Sequence, residues 1–510
     1  MLNALSPASR LPAELLVAIF QLRTHDLVKF DRGNWGYDPS WITVTHVCRY
    51  WRDVALAAPL LWSNIVFKSR GVTEAMLARS ESVPISVRLE SGSRDSSQAN
   101  LFLATHHADR MSEMHLVVPP RTVQTIFTMD KFCLPIIRKL HIDIDTSEPF
   151  HGVMLTDSHF AHQDSPLQSL SLHGVGLSLD PRLLRNLTYL QLVELHEGAK
   201  LHVVQLLVLL EPLVRLHHLE LRGALRLPSF DPHNPGPHSI PNIEVDLPNL
   251  THLYIEAYAS DADIFIAHVK MPQEARLSLQ FIVSSFEDIL IAERFVPSVY
   301  MRSITSTPIR SASVIIRSND FTLNLSAAID CDYVRRPEGS LHLNFVDPLR
   351  HHAMSEWLMV LTALFCALPL REVSSLSISS YSTWLRADSR ALKAAFSRLQ
   401  NVQTISAFDS VEPVVMLAMR PDRLQSGYCF PLLQRIRLGC RLGEMSAETA
   451  REIIKHVADC LQVRQETSGI VPLSELSFSE DHVPKEYLEN LKSFRNWMPP
   501  PFVISYGCPL

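Results

Sequence analysis

Leu167-Gln-Ser-Leu-Ser-Leu172 and, twenty residues on, Leu187-Thr-Tyr-Leu-Gln-Leu192 share one pattern, apolar-x-x-apolar-x-apolar. The last three positions alternate, which is the mark of a short strand with one buried face. The pattern recurs before them in MSEMHL (Met111, Met114, Leu116) and IRKLHI (Ile137, Leu140, Ile142). It recurs after them in LHHLEL (Leu216, Leu219, Leu221), LTHLYI (Leu250, Leu253, Ile255) and VSSLSI (Val373, Leu376, Ile378). LQRIRL (Leu433, Ile436, Leu438) and LSELSF (Leu473, Leu476, Phe478) complete the set.

The central positions 114, 140, 170, 190, 219 and 253 step by 26, 30, 20, 29 and 34 residues, near or beyond the roughly 20–29 of leucine-rich repeats. The segment resembles a degenerate leucine-rich-repeat array. That resemblance implies an α/β fold, an irregular solenoid with parallel strands on the concave face and helices outside. LHVVQLLVLLEPLVRL and SEWLMVLTALFCALPL read as helical returns. The asparagine expected after each strand is missing in most repeats, so irregular curvature is expected. Ordinary alternating strands of a single α/β domain are the alternative reading of the same hexads. Pro228 to Pro248, with six prolines, reads as a long exposed loop. Between about 277 and 345, RLSLQFIV, ASVIIRS and SLHLNFV read as strands, but their spacing is too loose to count repeats.

Upstream, Pro12 suits the first helical position and Glu14 the positive end of a helix dipole. Leu11 or Leu15 with Leu16, Ile19 and Phe20 form an apolar stripe. Arg23 to Ser40, with Gly33 and Gly36, reads as a loop. Val44, Val47, Cys48, Trp51, Val54, Ala55 and Ala58 predict a second amphipathic helix, which Pro59 ends before Leu60, Leu61, Trp62 and Ile65. About 60 residues make a thin core, so the apolar side of these helices is expected to stay uncovered for a foreign chain.

LPAELLVAIF followed by VTHVCRYWRDVALAAPLLWSNI resembles the F-box, in the divergent form common among large fungal F-box families. The resemblance covers Leu11 to Ile65 and departs from a compact F-box in the longer Arg23–Ser40 interval. It implies docking to the Skp-family adaptor of a cullin–RING ubiquitin ligase. It places the contact on Leu11, Pro12, Leu15, Leu16, Ile19, Val47, Cys48 and Trp51. The alternative for each is packing within the chain. The expected division is an F-box domain at 9–67, a leucine-rich-repeat-like domain at 68–496 and a C-terminal tail at 497–510, with Trp497-Met-Pro-Pro-Pro-Phe extended.

The 510 residues are 46% hydrophobic and 20% charged, which excludes wholesale disorder. A net charge of -6 offers no electrostatic footprint for nucleic acid. The start has no leader pattern, and the longest uncharged apolar run, Trp357 to Leu370, is 14 residues, short of a membrane span. The eight cysteines include no C-x-x-C pair, so neither a disulfide framework nor a zinc site is expected. An intracellular location, cytoplasmic or nuclear, fits. Sequons at Asn186, Asn249 and Asn324 read as chance.

Phosphate-binding loops, nucleophile elbows and H-E-x-x-H are absent from the sequence, so no enzyme activity and no cofactor are expected. Histidine is frequent, 23 in all. His115, His141, His173, His218, His252 and His342 alternate with buried leucines and should face the concave side. His115 with His141, and His218 with His252, occupy equivalent places in successive strands, as polar filler or as an anion, metal or pH-sensing pair. His218, Glu220, Arg222, His252, Tyr254 and Glu256 are the expected target-binding face. The function expected is substrate recognition in an SCF-type ligase. The alternative is an interaction scaffold without ligase output.

Overall fold

A computed structural model describes residues 10–29, 35–90, 97–129, 132–144, 152–160, 165–226, 243–272, 274–283, 308–317, 320–326, 341–347, 354–380, 389–409, 429–438, 462–464, 466–467, 469–478 and 503–506, with scattered positions between 288 and 296 and at 415, 455 and 459. The chain packs as two compact units, Met1–Leu250 with His268–Lys270, and Thr251–Ala267 with Met271–Leu510.

The first unit opens on helix α1, Ala13–Thr24. Pro12, expected inside the first turn, has ψ 151° and sits one residue outside as the N-cap. Its carbonyl accepts the Leu16 N–H at 3.1 Å, as an N-cap carbonyl does. The interval expected as a loop contains an antiparallel ribbon, Leu27–Lys29 (β1) with Trp35–Tyr37 (β2). These short runs are rich in β-formers, which the surrounding polar residues obscured.

The single helix expected from Val44 to Ala58 is two pieces, a 3-10 helix Pro39–His46 and α2, Arg49–Leu56. Cys48 makes the break: it is extended, and its Sγ accepts the Trp51 N–H at 3.5 Å. A 3-10 turn, Pro59–Trp62, then leads to strand β3, Asn64–Ile65, and helix α3, Arg70–Arg79.

Leu16, Phe20 and Thr24, four apart, form the buried line of α1, and the Phe20 ring lies 5.2 Å from Trp51. Trp62 is fully buried. Its indole N–H donates to Ala55 O at 2.8 Å, its ring meets Trp41 edge-on at 4.9 Å, and the Arg79 guanidinium covers it at 4.4 Å. Asn64 donates to Thr24 O at 2.8 Å and ties the end of α1 to β3.

Beyond α3 run Ile85–Glu90 (β4), Ser97–Thr105 (α4), Met111–Val118 (β5), Pro120–Phe127 (α5), Lys139–Ile144 (β6) and Met154–Thr156 (β7). Ser169–His173 (β8), Gly176–Ser178 (β9), Tyr189–Val193 (β10), Val203–Leu210 (α6), His218–Arg222 (β11) and Val245–Asp246 (β12) follow. β3, β4, β5, β6, β8, β10 and β11 form a parallel sheet in that order, while β7 pairs with β9.

The register aligns the hexads. Val87, Met114, Leu140, Leu170, Leu190 and Leu219 form one buried column, and Leu89, Leu116, Ile142, Leu172, Leu192 and Leu221 a second. Each such side chain contributes roughly 1.5–3 kcal/mol of hydrophobic stabilisation, so the columns are the main cohesive element of this unit.

Repeat length follows from the return. The 20-residue step from Leu170 to Leu190 leaves room only for a 3-10 turn, Pro181–Leu184, whereas the 29-residue step to Leu219 accommodates α6. Instead of asparagine after the strand, three successive repeats use a left-handed residue: Gly174 (φ 73°), Glu194 (φ 48°) and Gly223 (φ 55°). Asparagine stands before the strand. Asn186 donates to Ser165 O, and Asn249 to Val214 O. Both belong to sequons, whose N-L-T is therefore part of the repeat; the carboxamide of the third, Asn324, is bonded to His342.

The second unit contains His252–Tyr258 (β13) and all but the last residue of Ala259–His268 (α7); the chain then re-enters the first unit, where Val269–Lys270 (β14) pairs with β12. Arg276–Ile282 (β15), Ser311–Ile316 (β16), Asp320–Ser326 (β17), Leu341–Val346 (β18), Ser375–Ser380 (β19), Thr404–Asp409 (β20), Arg435–Leu438 (β21), Glu475–Phe478 (β22) and Val503–Tyr506 (β23) complete it.

Its lateral order is β13-β15-β18-β17-β16-β19-β20-β21-β22-β23, with β17 antiparallel to both neighbours. The chain passes β15, returns through a hairpin and sets β18 beside β15. Phe281, Phe345 and Phe321 pack across that insertion, with successive centroids 4.9 and 5.7 Å apart. This is why hexad spacing fails between 277 and 345.

The helix Met354–Ala367 buries Val360, Leu361, Leu364 and Phe365. Asn401 donates to Arg371 O at 2.8 Å, repeating the device of Asn186. Val503–Tyr506, expected within a tail, is a strand on β22; Trp497 to Phe502 lie outside the described residues, as does the proline-rich stretch up to 242. Among the described residues no helix is long and apolar enough to cross a membrane.

Candidate functional site: an apolar helical face and a polar sheet face

Two surfaces of the first unit carry more than folding requires. The first is helical. Of thirteen large apolar side chains exposed among the described residues, eight lie between Leu15 and Leu60. Three of these are residues expected to contact an adaptor: Leu15 at 52%, Ile19 at 46% and Val47 at 52%. Pro12 is exposed beside them, and Leu11, Cys48 and Trp51 are half-buried.

Leu16 is a correction. It is 0% exposed, because the turn of α1 that carries Phe20 inward carries Leu16 with it. It therefore holds the face up from behind. Leu22, Tyr50, Leu56 and Leu60 extend the apolar exposure and were missed in the sequence, where they fall outside the recognised motif positions. Tyr50 donates its hydroxyl to Leu11 O at 3.0 Å and so fixes the entry to α1 against the first turn of α2.

The second surface is the polar side of the sheet, where outward side chains stand in register. One row runs Arg88, His115, His141, Ser171, Gln191 and Glu220. Its hydrogen bonds have one direction, because an ionised carboxylate can only accept. Gln191 donates to Glu220 Oε2 at 2.9 Å; Gln191 Oε1 then accepts from Ser171 at 2.6 Å and Tyr189 at 3.2 Å. Ser171, its proton committed, accepts the Nδ1–H of His141 at 2.8 Å. His141 Nε2 is left with the lone pair of a neutral ring.

Electrostatics agree with that neutrality. Burial holds His115 down to about 3, helped by His141 and Arg88, and burial also lowers His141. The two rings stack at 4.1 Å with planes 9° apart. His115 Nε2 lies 3.2 Å from Glu90 Oε1 but makes no hydrogen bond to it. With the imidazole neutral we read this as a misaligned contact rather than an ion pair. The other charges are matched: Arg88 with Glu90 at 2.6 Å and Lys139 with Glu113 at 2.8 Å. His173 behaves oppositely, raised by its 2.7 Å bond to Asp143.

A cleft of about 420 Å³ opens on this face. Tyr37, carried by the β1–β2 ribbon, lines it together with Arg88, His115, His141, Ser169, Ser171, Tyr189 and Gln191. The sequence signalled the histidines by alternation. It did not signal Tyr37, whose arrival depends on the ribbon.

The residues expected to bind a target divide between the units. In the first, His218 stacks on Tyr189 at 4.5 Å, and Glu220, held low mainly by His218 against the cost of burial, also accepts from Arg222 at 3.1 Å. In the second, Tyr254 and Glu256 are bridged by Gln280, at 2.9 and 2.8 Å, and His252 bonds Thr251. All but Arg222, which is exposed, are half-buried on the outward positions of their strands. Among the described residues no group of His, Cys, Asp or Glu is arranged to hold a metal ion.

A family model described as F-box-like matches residues 8–68. No curated protein matches the sequence. The chain thus carries an F-box-like domain at its N-terminus, followed by large, mostly parallel sheet consistent with leucine-rich-repeat-like repeats. An F-box domain in general implies binding to a Skp-family adaptor, and proteins that carry one are typically non-catalytic ligase subunits.

Proposed function

We propose that this protein is the substrate-recognition subunit of an SCF-type cullin–RING ubiquitin ligase. The F-box-like domain docks to the adaptor through Leu11, Pro12, Leu15, Ile19, Val47, Cys48 and Trp51, with Leu16 as their internal support. The target is held by the outward side of the strands, at His218, Glu220 and Arg222 in the first unit and, as a separate surface, at His252, Tyr254 and Glu256 in the second. Ubiquitin transfer is then accelerated by proximity, with the chemistry on other subunits. The observation that carries this reading is the concentration of exposed apolar side chains between Leu15 and Leu60.

Co-purification with the adaptor and cullin tests it. Ile19→Asp or Val47→Asp puts a charge on the docking face and is expected to weaken adaptor capture more than tenfold, from a desolvated charge costing on the order of 2 kcal/mol or more. Melting temperature should change little, since both side chains are exposed. Leu16→Asp should instead unfold the domain. Capture that survives both surface substitutions sinks the proposal; adaptor without cullin in the wild-type complex would favour a scaffold without ligase output.

A further inference from the structure

At the N-terminal ends of β6, β8 and β10 the backbone ladder runs one residue beyond the strands. Gln168 N donates to Arg138 O at 2.8 Å, Thr188 N to Gln168 O at 2.8 Å and His217 N to Thr188 O at 2.8 Å. Arg138, Gln168 and Thr188 therefore stand side by side, about 4.8 Å from one to the next. A second cleft, of about 360 Å³, opens at this edge, lined by these three with Pro166, Asn186 and Arg215. Its lining is one-sided in charge: two guanidiniums and no carboxylate. Arg138 makes no side-chain hydrogen bond or ion pair among the described residues, and Arg215 gives one N–H, to Asn186 Oδ1 at 3.2 Å. Asn186 in turn donates to Ser165 O at 3.0 Å, so both ends of its carboxamide are in use and Arg215 is held in place. The Thr188 hydroxyl proton goes to Gln168 O, and the carbonyls of Arg138, Gln168 and Thr188 are all taken by the ladder. What the cleft has to spare is mostly N–H: the whole Arg138 fork, the rest of the Arg215 fork and the amide of Gln168. On the strands nearby the cations are matched, Arg88 to Glu90, Lys139 to Glu113 and Arg222 to Glu220.

We infer that this cleft is an anion site and that it takes a phosphoryl group, held by Arg138 and Arg215 with Gln168 between them. A phosphoryl group brings a charge of about −1.5 to −2 near neutral pH and three acceptor oxygens, which answers two cations and a surplus of N–H at once. A single carboxylate would leave one of the two cations unmatched. The planar guanidinium fork also binds two phosphate oxygens together, a geometry that a lysine could not supply. The cleft is several times the roughly 30 Å³ share of one water, so it holds the group along with part of the molecule that carries it. That carrier is the phosphorylated side chain of a bound protein segment or a small phosphate ester. None of the six lining residues belongs to the surfaces assigned above to adaptor or target, so the inference goes beyond the ligase reading and stands without it.

The test uses the full-length protein and phosphorus NMR, with inorganic phosphate and a capped Gly-Gly-phosphoserine-Gly-Gly peptide as probes. At least one of the two resonances is expected to broaden saturably, and the same peptide with glutamate in place of phosphoserine should compete poorly. Arg138→Gln and Arg215→Gln should each weaken binding about tenfold, the usual worth of a hydrogen bond to a charged group, and the double variant should abolish it. Arg138→Gln should leave the melting temperature unchanged, since the side chain is exposed and unbonded, so its loss of binding cannot be put down to misfolding. Arg121→Gln, which removes an exposed arginine from α5 at the same cost in charge, should leave binding as it was. No broadening of either resonance, equal competition by the glutamate peptide, or an equal loss in Arg121→Gln would overturn the inference. A peptide bound more tightly than inorganic phosphate identifies a protein segment as the carrier; inorganic phosphate bound as tightly or more tightly identifies a small phosphate ester. Adaptor capture is read separately, so a chain that binds the phosphoryl group but no adaptor refutes the ligase reading alone.

Discussion

At Leu15 and Leu16 helix α1 turns one leucine outward, 52% exposed, and the next inward, 0% exposed. A broad apolar stripe leaves that choice open, because both positions satisfy helical periodicity and only the packing of Phe20 on Trp51 decides between them. Which apolar side chains of the opening helices stay exposed was legible as a set and not one by one. His115 shows the same limit on the sheet. Alternation placed it outward, but its neutrality comes from burial beside His141 and Arg88, partners that stand on other strands. Its folded pKa, about 3, lies below the usual imidazole value of 6.5, so in that interval the unfolded chain binds the extra proton. Stability is then lost as pH falls below the unfolded value, at up to about 1.4 kcal/mol per pH unit. Between about pH 6.5 and 5 the wild type should lose roughly 1.5 kcal/mol more than His115→Gln, measured by chemical denaturation. His173 has the opposite sign: its raised pKa lends stability at acid pH that fades as pH rises through the folded value. Identical pH dependence in wild type and His115→Gln would show that His115 is solvated.

At the scale of elements, all nine hexads are strands, because alternation with leucine is a local signal that needs no tertiary partner to be read. What joins the strands was less legible. Of the left-handed turns at Gly174, Glu194 and Gly223 two use glycine, but Glu194 carries no glycine signature, so the series could not be read as a pattern. At Gly223 a side chain would meet the Glu194 carboxylate at 2.9 Å as well as a positive φ. The asparagine looked for after the strand stands ahead of it instead. Asn186 donates to Ser165 O at 3.0 Å and accepts from Arg215 at 3.2 Å, so it ties three repeats together. Asn186→Ala should cost about 1 kcal/mol, the usual net value of such a bond, more if Ser165 O is left without water. Asn186→Asp keeps the acceptor for Arg215 and loses the donor, which separates the two contributions in denaturant titrations. A cost near zero in both variants would mean that the apolar columns alone set the spacing of the repeats. Strand direction was the other blind spot. Ser311–Ile316, Asp320–Ser326 and Leu341–Val346 each alternate like their parallel neighbours, and alternation carries no information on which way a neighbour runs.

For the molecule as a whole, the match to residues 8–68 marks a family boundary and not a folding boundary. Ile65, Val66 and Phe67, at the very end of that match, are 0%, 1% and 4% exposed, and Asn64–Ile65 is the first strand of the sheet, paired with Ser86 and Val87. Trp62 is covered by Arg79, and Tyr37 lines a cleft whose other walls belong to the repeats. Cutting the chain at 68 strips partners from at least four large buried side chains. At roughly 1.5–3 kcal/mol for each side chain returned to water, the loss rivals the whole stability of a small domain, about 5–15 kcal/mol. A fragment of residues 8–68 should therefore lack a cooperative melt, whereas residues 8–226, which include the seven-stranded parallel sheet of the first unit, should melt in one transition. Circular dichroism and limited proteolysis distinguish these outcomes. A sharp, independent transition in the short fragment would mean that the sheet merely rests on the helices. A single transition in the long one means that the exposed apolar helical face is held rigid by the same columns of leucine that carry the polar sheet face.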